Sequence, residues 1–593
     1  MKKVTVLLIV IFAVISNTAR SQDISDLLNG YYAYNRFWGN VLVAQNGKII
    51  FQQSYGEADK DSDIKNDSST LFNLASVAKT ITATAILQLH DEGKLNLFDR
   101  VDKYIPGFIN DKTDSLTIIN LLNHTSGLVT HFSNHDDINR KESVLSDKKP
   151  VTLEQMISQF RETKLKNKPG TIFEYNNYNY IILAYIIEKA SGTDYFCYLN
   201  TKVFPKAGMT HTFSQLNLPG TEATGHIGIG TGNIHPVKNP VHPSWYTGAA
   251  GIYSTTGDLS RFLQSVFSHH LFSERTLELI LDSCVSIHRR NILWTPGWQK
   301  NEVDGQDWYS HGGSIEGFSA RIGYLPGENI SIVILSNLVK DYHNEGISSV
   351  NFSFVDDIAE DIIRIVHGKS VTYLPVPKGK PDKIHMGKYK LDDTHFLQIS
   401  SRNDSMFVTA GIESNFTLFD YNINKEINDT SGNYRTCKIF TSSLVGNNFD
   451  GFGRFASEDM QRILFNNKNI TVITDFWQRM PSRAGKYLSS NIYDKKVMPG
   501  HTDYSLAYHF EEAEVTMQIS FNDHGLINGF YILRLIPRCH IYTVNLIPTG
   551  KNEYFVDGYK YGGYNDFRVK YDKNEQSLSF NDDKVSFTAF KSR

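Results

Sequence analysis

The chain has 593 residues, too many for a single hydrophobic core, so several domains are expected. Its 60 basic and 63 acidic residues leave a formal net charge of -3, so no nucleic-acid or strongly electrostatic partner is implied. The four cysteines, Cys197, Cys284, Cys437 and Cys539, are scattered without metal-ligand spacing. They imply no zinc site and no disulfide framework; free thiols are expected, and no cofactor or metal is implied.

The N-terminus reads as a secretory signal over residues 1–21. Lys2 and Lys3 form a positive start, Val4 to Ile15 an apolar stretch, and Ala19-Arg20-Ser21 a cleavage site before Gln22. About 12 apolar residues are short for a span of ~20. The expected mature protein is therefore exported, periplasmic or extracellular, with no stable membrane span after cleavage. No cysteine near the cleavage site offers a lipid anchor.

Val41 to Tyr55 alternates around Asn46-Gly47, a strong hairpin signal. Ser76 to Asp91 predicts a helix with Ile81, Ile86, Leu87 and Leu89 on its apolar face and Gly93 as a stop. Leu116 to Asn123 and Leu153 to Phe160 predict short helices, and Tyr178 to Ala190 a strongly apolar one closed by Gly192. Phe318 to Leu325 and Ile330 to Ser336 read as strands joined through Pro326-Gly327, followed by a helix from Val355 to His367. Strands at both ends with helices between them predict one sheet whose halves are separated in sequence.

Pro375, Pro377 and Pro381 with Gly379 mark a linker, beyond which helical periodicity largely disappears. Short alternating runs follow at Phe396 to Ser400, Met406 to Ala410, Thr516 to Phe521 and Ile541 to Leu546. Gly387-Lys388-Tyr389 recurs as Gly485-Lys486-Tyr487, a spacing that fits two small barrels. The expected organisation is a signal at 1–21, a catalytic domain at 22–370, and β-barrel domains at 371–482 and 483–593.

Ser76-Val77-Ala78-Lys79 carries the chemistry. A serine hydroxyl barely ionises at neutral pH and needs a base; a lysine three residues on lies on the same helical face. Ser62-Asp63-Ile64-Lys65 and Ser146-Asp147-Lys148-Lys149 have the same form but lie in charged, turn-like sequence. Tyr175-Asn176-Asn177 and His311-Gly312-Gly313 follow where partners are needed.

The order of these three motifs resembles the serine β-lactamase and penicillin-binding protein superfamily, on its class C side. Leu121 to Leu128, Pro169-Gly170 and Gly248 to Thr255 match in register, and the resemblance covers residues 30 to 365 or so. It implies an α+β fold, an antiparallel sheet flanked by helices, here followed by two small antiparallel, lipocalin-like barrels. In similar multidomain members such barrels border the active-site cleft. The catalytic residues it implies are Ser76 as nucleophile, Lys79 as base if burial leaves it neutral or as a charge that lowers its neighbours' pKa if not, and Tyr175 as a proton relay made more acidic by Lys79. Asn177 is expected to hold Lys79 and a substrate amide, and His311 and Gly313 belong to the third motif. The N–H groups of Ser76 and Ser314 are expected to form the oxyanion hole. His124 is assigned to structure.

His311 replaces the usual lysine, a weaker anchor for a substrate carboxylate. No glutamate stands where class A enzymes carry one for deacylation, since Glu162 precedes the second motif. The expectation is a serine hydrolase forming an acyl-enzyme from a small-molecule or short-peptide substrate. D-amino-acid peptides related to the cell wall, or small esters, come first. A true β-lactamase is the alternative, and a non-catalytic binding or sensor protein the alternative of another class. If only Ser76 is nucleophilic, Ser76→Ala abolishes labelling by a fluorophosphonate while Ser62→Ala and Ser146→Ala leave it intact. Mass-spectrometric mapping of the adduct checks this.

Overall fold

A computed structural model describes residues 20–108, 116–128, 149–160, 165–229, 233–237, 242–287, 292–341 and 353–375 of the first part of the chain. Beyond these it describes 377–378, 385–390, 396–402, 405–410, 427–446, 452–461, 477–478, 480, 486–498, 500–510, 513–537, 543–557, 568–581 and 586–591. The expected signal sequence, apart from residues 20 and 21, lies outside the described residues, as do Ser146, Glu162 and Cys539. No helix among the described residues is long and apolar enough to cross a membrane. Two compact units result, Met1–Leu374 and Pro375–Arg593.

The first unit is built on an eight-stranded antiparallel sheet. Its strands are β1 (Gly39–Gln45), β2 (Lys48–Tyr55), β3 (Val285–Ile287), β4 (Ile292–Thr295), β5 (Trp298–Val303), β6 (Gln306–Ile315), β7 (Phe318–Leu325) and β8 (Ile330–Ser336). They lie in the order β3-β4-β5-β6-β7-β8-β1-β2. Asn46 (φ 52°) and Gly47 (φ 72°) close the β1–β2 hairpin with two left-handed residues, the geometry such a two-residue turn demands. The sequence-distant halves meet where β1 pairs with β8, Gly39 opposite Ser336 through Gln45 opposite Ile330.

Both faces of the sheet are covered around β8 and β1, so these two strands are buried along almost their whole length rather than on alternate residues. Ile330, Ile332 and Ile334 of β8 pack with the helical residues 20–33 and with the helix Val355–Val366. Val333 and Leu335 point the other way, into the larger core. That core is organised by two helices, α1 (Ala78–Asp91) and α2 (Asn177–Ser191). All twelve residues from Ala78 to Gln88 and Leu89 are buried, so α1 is a central helix and not the one-faced element its periodicity suggests. The expected start at Ser76 is a 3-10 turn, Ala75–Val77, running directly into α1. Gly192, at φ 74°, ends α2 as a left-handed cap.

The second unit departs from the expected pair of barrels. One closed barrel is formed by β9 (Gly387–Lys390), β10 (Phe396–Arg402), β11 (Ser405–Ala410) and five later strands. Between them the chain makes a four-stranded sheet of β12 (Tyr487–Met498), β13 (His501–Phe510), β14 (Ala513–Asn522) and β15 (Ile527–Pro537). The barrel is completed by β16 (Thr543–Gly550), β17 (Glu553–Asp557), β18 (Arg568–Asp572), β19 (Ser577–Asn581) and β20 (Ser586–Lys591). Because β11 pairs with β16, and β9 with β20, residues 371–482 cannot close a barrel without strands from the C-terminal end. The repeated Gly-Lys-Tyr tripeptide leads into a barrel strand once and into the open sheet the second time.

A helix unforeseen in the sequence, Gly432–Val445, packs Cys437, Phe440 and Leu444 into one core with Tyr504, Leu506 and Tyr508 of the four-stranded sheet. Its Thr, Ser and Ile residues are weak helix formers, so tertiary burial and the Ser431 cap, which accepts from Tyr434 N–H, hold it. The division after Leu374 predicts that a fragment of residues 22–374 unfolds cooperatively in urea and keeps the full chain's fluorophosphonate labelling rate. A fragment that stays soluble and folded but is unlabelled would contradict this.

Candidate active site

Ser76 sits, half-buried, in the turn that opens α1. The residue before it, Ala75, is held at φ 47°, and its N–H donates to Asn73 Oδ1 at 2.9 Å. A non-glycine residue in this region is strained, and the surrounding bonds fix it there. One helical turn on, Lys79 Nζ lies 3.0 Å from Ser76 Oγ and 2.9 Å from the carbonyl of Ala249.

Lys79 is fully buried, and among the described residues no carboxylate pairs with it. Desolvation therefore carries its pKa well below the ordinary lysine value. The ring of Tyr175 lies 5.1 Å and that of Tyr180 5.7 Å from Nζ; both favour the charged form, but weakly against full burial. The amine gives up its proton more readily than an ordinary lysine, which is what a base for Ser76 requires. Ala249 is presented by a tight loop: Gly248, at φ 85°, packs so closely on α2 that a Cβ there would lie 2.3 Å from Tyr180 O. Thr82 Oγ1 of α1 donates to the Gly248 carbonyl at 2.7 Å.

Tyr175 lies close enough to the Ser76 hydroxyl for that group to pull its pKa down, so Ser76 Oγ has both the lysine amine and the phenol beside it. Contrary to the expectation that Lys79 acidifies it, desolvation raises the Tyr175 pKa, with the Ser76 hydroxyl acting the other way. At 38% exposure the residue still meets solvent, which tempers the desolvation but does not reverse it. Tyr175 is thus a neutral phenol, able to pass a proton on rather than to begin as a phenolate. Asn177 opens α2, but its side chain does not hold Lys79 as expected. Its Oδ1 is buried with no hydrogen-bond partner among the described residues.

The third motif lies on β6. Gly313 must be glycine: a Cβ there would stand 2.3 Å from Leu74 O and 3.1 Å from Ser76 N. The strand is therefore pressed against the nucleophile's own turn, with Ser314 next along it. His311 is buried; its Nδ1–H faces the Gly312 carbonyl at 2.7 Å, leaving Nε2 as an unpartnered acceptor. Burial first, then the positive charge of Lys79, push its pKa down to about 3, so His311 is neutral at physiological pH.

Two residues that the motifs did not flag complete the site. Trp294 on β4 meets the rings of His311, His124 and Tyr175 edge-on, at 5.4, 4.9 and 5.7 Å. Arg321 on β7 stands opposite Gly312 and donates to Gln299 Oε1 at 3.0 Å. No motif spacing points to either; only the pairing of β4 through β7 brings them in. The segments Leu121 to Leu128 and Pro169-Gly170 join through the Gly170 N–H, which donates to Thr125 O at 2.8 Å. Cys197, Cys284 and Cys437 are free thiols.

Residues 29–348, more than half of the chain, match the Beta-lactamase family, and the chain belongs to it. Protein flp of Staphylococcus aureus (strain NCTC 8325 / PS 47) is 29% identical over 332 residues, 54% of this chain and 63% of flp. This chain thus spans less than two thirds of that relative's length. The putative penicillin-binding protein PbpX of Bacillus subtilis (strain 168) is 29% identical over 325 residues, 54% of this chain and 75% of PbpX. The solved octameric penicillin-binding protein homologue from Pyrococcus abyssi is 17% identical, covering 96% of this chain and 99% of its own with a TM-score of 0.52. That is a likeness of fold. The expected membership of the β-lactamase and penicillin-binding protein superfamily is borne out, and the family match ends before the second unit.

Because folded His311 resists protonation down to about pH 3 while an unfolded histidine titrates near 6.5, the unfolded chain binds more protons below pH 6.5. Stability is therefore lost as pH falls from 7.5 to 5, by about 2 kcal/mol from this residue alone. Buried His124 acts in the same direction. Urea denaturation at the two pH values should show a smaller loss for His311→Asn than for the native protein. Equal losses would contradict a neutral, buried His311.

Proposed function

We propose that this protein is an exported serine hydrolase that forms an acyl-enzyme on Ser76. The observation that carries the reading is the 3.0 Å approach of a buried lysine amine, unpaired with any carboxylate among the described residues, to the serine hydroxyl. Ser76 Oγ attacks a substrate carbonyl carbon and its proton passes to Lys79 Nζ. The oxygen that becomes negative is received by the N–H groups of Ser76 and Ser314. Tyr175 gives its proton to the leaving nitrogen or oxygen and regains one from Lys79, so the amine ends neutral again. Water then attacks the acyl-enzyme by the reverse of these transfers, releasing the acid and restoring Ser76. Asn177 Oδ1, buried and unpartnered among the described residues, supplies an acceptor for a substrate amide N–H.

Small esters and D-amino-acid amides or peptides related to the cell wall fit this site better than β-lactams. A β-lactam carboxylate gains from a cation in the third motif, and His311 is neutral there. The first 21 residues support export. The names of the relatives flp and PbpX support a cell-wall setting only through the penicillin-binding kinship of the second.

Turnover of short-chain nitrophenyl esters or D-aminoacyl nitroanilides should exceed that of nitrocefin. Labelling by a fluorophosphonate but not by a fluorescent penicillin is expected. Labelling by both would favour a penicillin-recognising enzyme, and labelling by neither a binding protein. Lys79→Ala and Tyr175→Phe should each lower turnover by about two to four orders of magnitude. Their joint loss should fall well short of the product, since both act on one proton path. A fully multiplicative double variant would contradict that shared path.

A further inference from the structure

We infer that His124 is a positioning residue that mounts Tyr175, an inference that rests on the proton-carrying role of Tyr175 proposed above. Three contacts from one residue surround that tyrosine. The carbonyl of His124 accepts the N–H of Glu174 at 2.8 Å, on the N-terminal side of Tyr175. Its ring Nδ1 accepts the N–H of Asn176 at 3.1 Å, on the C-terminal side. Its ring lies 4.4 Å from the Tyr175 ring, tilted by 34°. The peptide that follows Tyr175, the one that enters Glu174 just before it, and the phenol ring itself are thereby tied to His124.

The chemistry selects this residue type. An acceptor at Nδ1 requires the neutral imidazole with its proton on Nε2, and complete burial keeps the ring neutral. Asn179 Nδ2 adds a second contact to Nδ1 at 3.3 Å, which anchors the ring to α2. Phe173, Tyr180 and Trp294 lie around it with centroids at 5.9, 5.2 and 4.9 Å, so the ring cannot swing away. His124 adopts φ 57°, a left-handed conformation that a non-glycine residue holds only where its surroundings impose it. Holding the backbone there is what lets carbonyl and ring reach the two sides of Tyr175 at once. The segment from Leu121 to Leu128 is in this reading the seat of the proton carrier and more than a structural turn.

The test is a double-variant cycle with Tyr175→Phe on a chromogenic ester, normalised to folded protein. His124→Leu removes the acceptor and should lower kcat by about 10- to 100-fold with KM little changed, the scale of a misplaced catalytic group. His124→Asn puts an amide oxygen where Nδ1 stood and tolerates left-handed φ, so it should recover most of kcat. In the Tyr175→Phe background the His124→Leu loss should nearly vanish. The inference is overturned if the loss persists undiminished in that background, if it appears in KM alone, or if His124→Asn is no better than His124→Leu. Should His124→Leu fail to fold, His124→Gln takes its place. Its amide sits one bond too far, so it should behave as the Leu variant was expected to, and full activity would overturn the inference. Full activity of Tyr175→Phe alone would instead remove the reading on which the inference rests, and that variant is measured before the cycle is closed.

Discussion

A lysine buried completely, with no carboxylate beside it among the described residues, is the constraint around which the first unit is arranged. A charged ammonium in such a place is costly, and the group responds by giving up its proton more readily. That response is useful only if the freed lone pair faces a hydroxyl. The 3-10 turn at Ala75–Val77 and the first turn of α1 ensure it, by setting Ser76 and Lys79 on one side. The Ala249 carbonyl fixes the amine from the other side without adding a negative charge that would stabilise the ammonium.

The same economy of charge extends outward. His311 and His124 are buried close enough to Lys79 for its charge to disfavour theirs, and aromatic rings fill much of the space between them. Burial of Lys79, His311 and His124 thus disfavours the charged form of each, and the proton path links the buried Lys79 to the half-buried Ser76. The fold supplies that path from distant parts of the chain. The turn before α1 brings Ser76 and α1 itself Lys79, the segment entering α2 brings Tyr175, and β6 is pressed onto the serine turn because Gly313 has no side chain to hold it off.

Much of this was legible in the sequence because it rests on local signals. Asn46-Gly47 specified a hairpin, Gly192 a helix end, and Ser76 to Lys79 a helical spacing that needs no knowledge of the rest of the fold. Long-range effects were not legible. Trp294 and Arg321 enter the site only through strand pairing, and a tryptophan in a short strand carries no mark of what lies across the sheet. The motif predicts the opposite sign for the Tyr175 shift, since neighbouring charge is visible in a motif and burial is not. In the second unit, strands at Phe396–Arg402 and Ser405–Ala410 were legible from alternation. The second of these pairs with Thr543–Gly550, more than a hundred residues on, and a tripeptide repeat could not reveal that closure.

The central claim, that the folded protein holds Lys79 as a weakly basic amine beside Ser76, is open to direct measurement. Proteins labelled with ¹³C at lysine Cε, native and Lys79→Ala, can be titrated by NMR to identify and follow the Lys79 resonance. The account predicts a resonance, absent from the variant, that titrates well below the ordinary lysine value of 10.5. A Lys79 resonance that titrates together with the solvent-exposed lysines would contradict it.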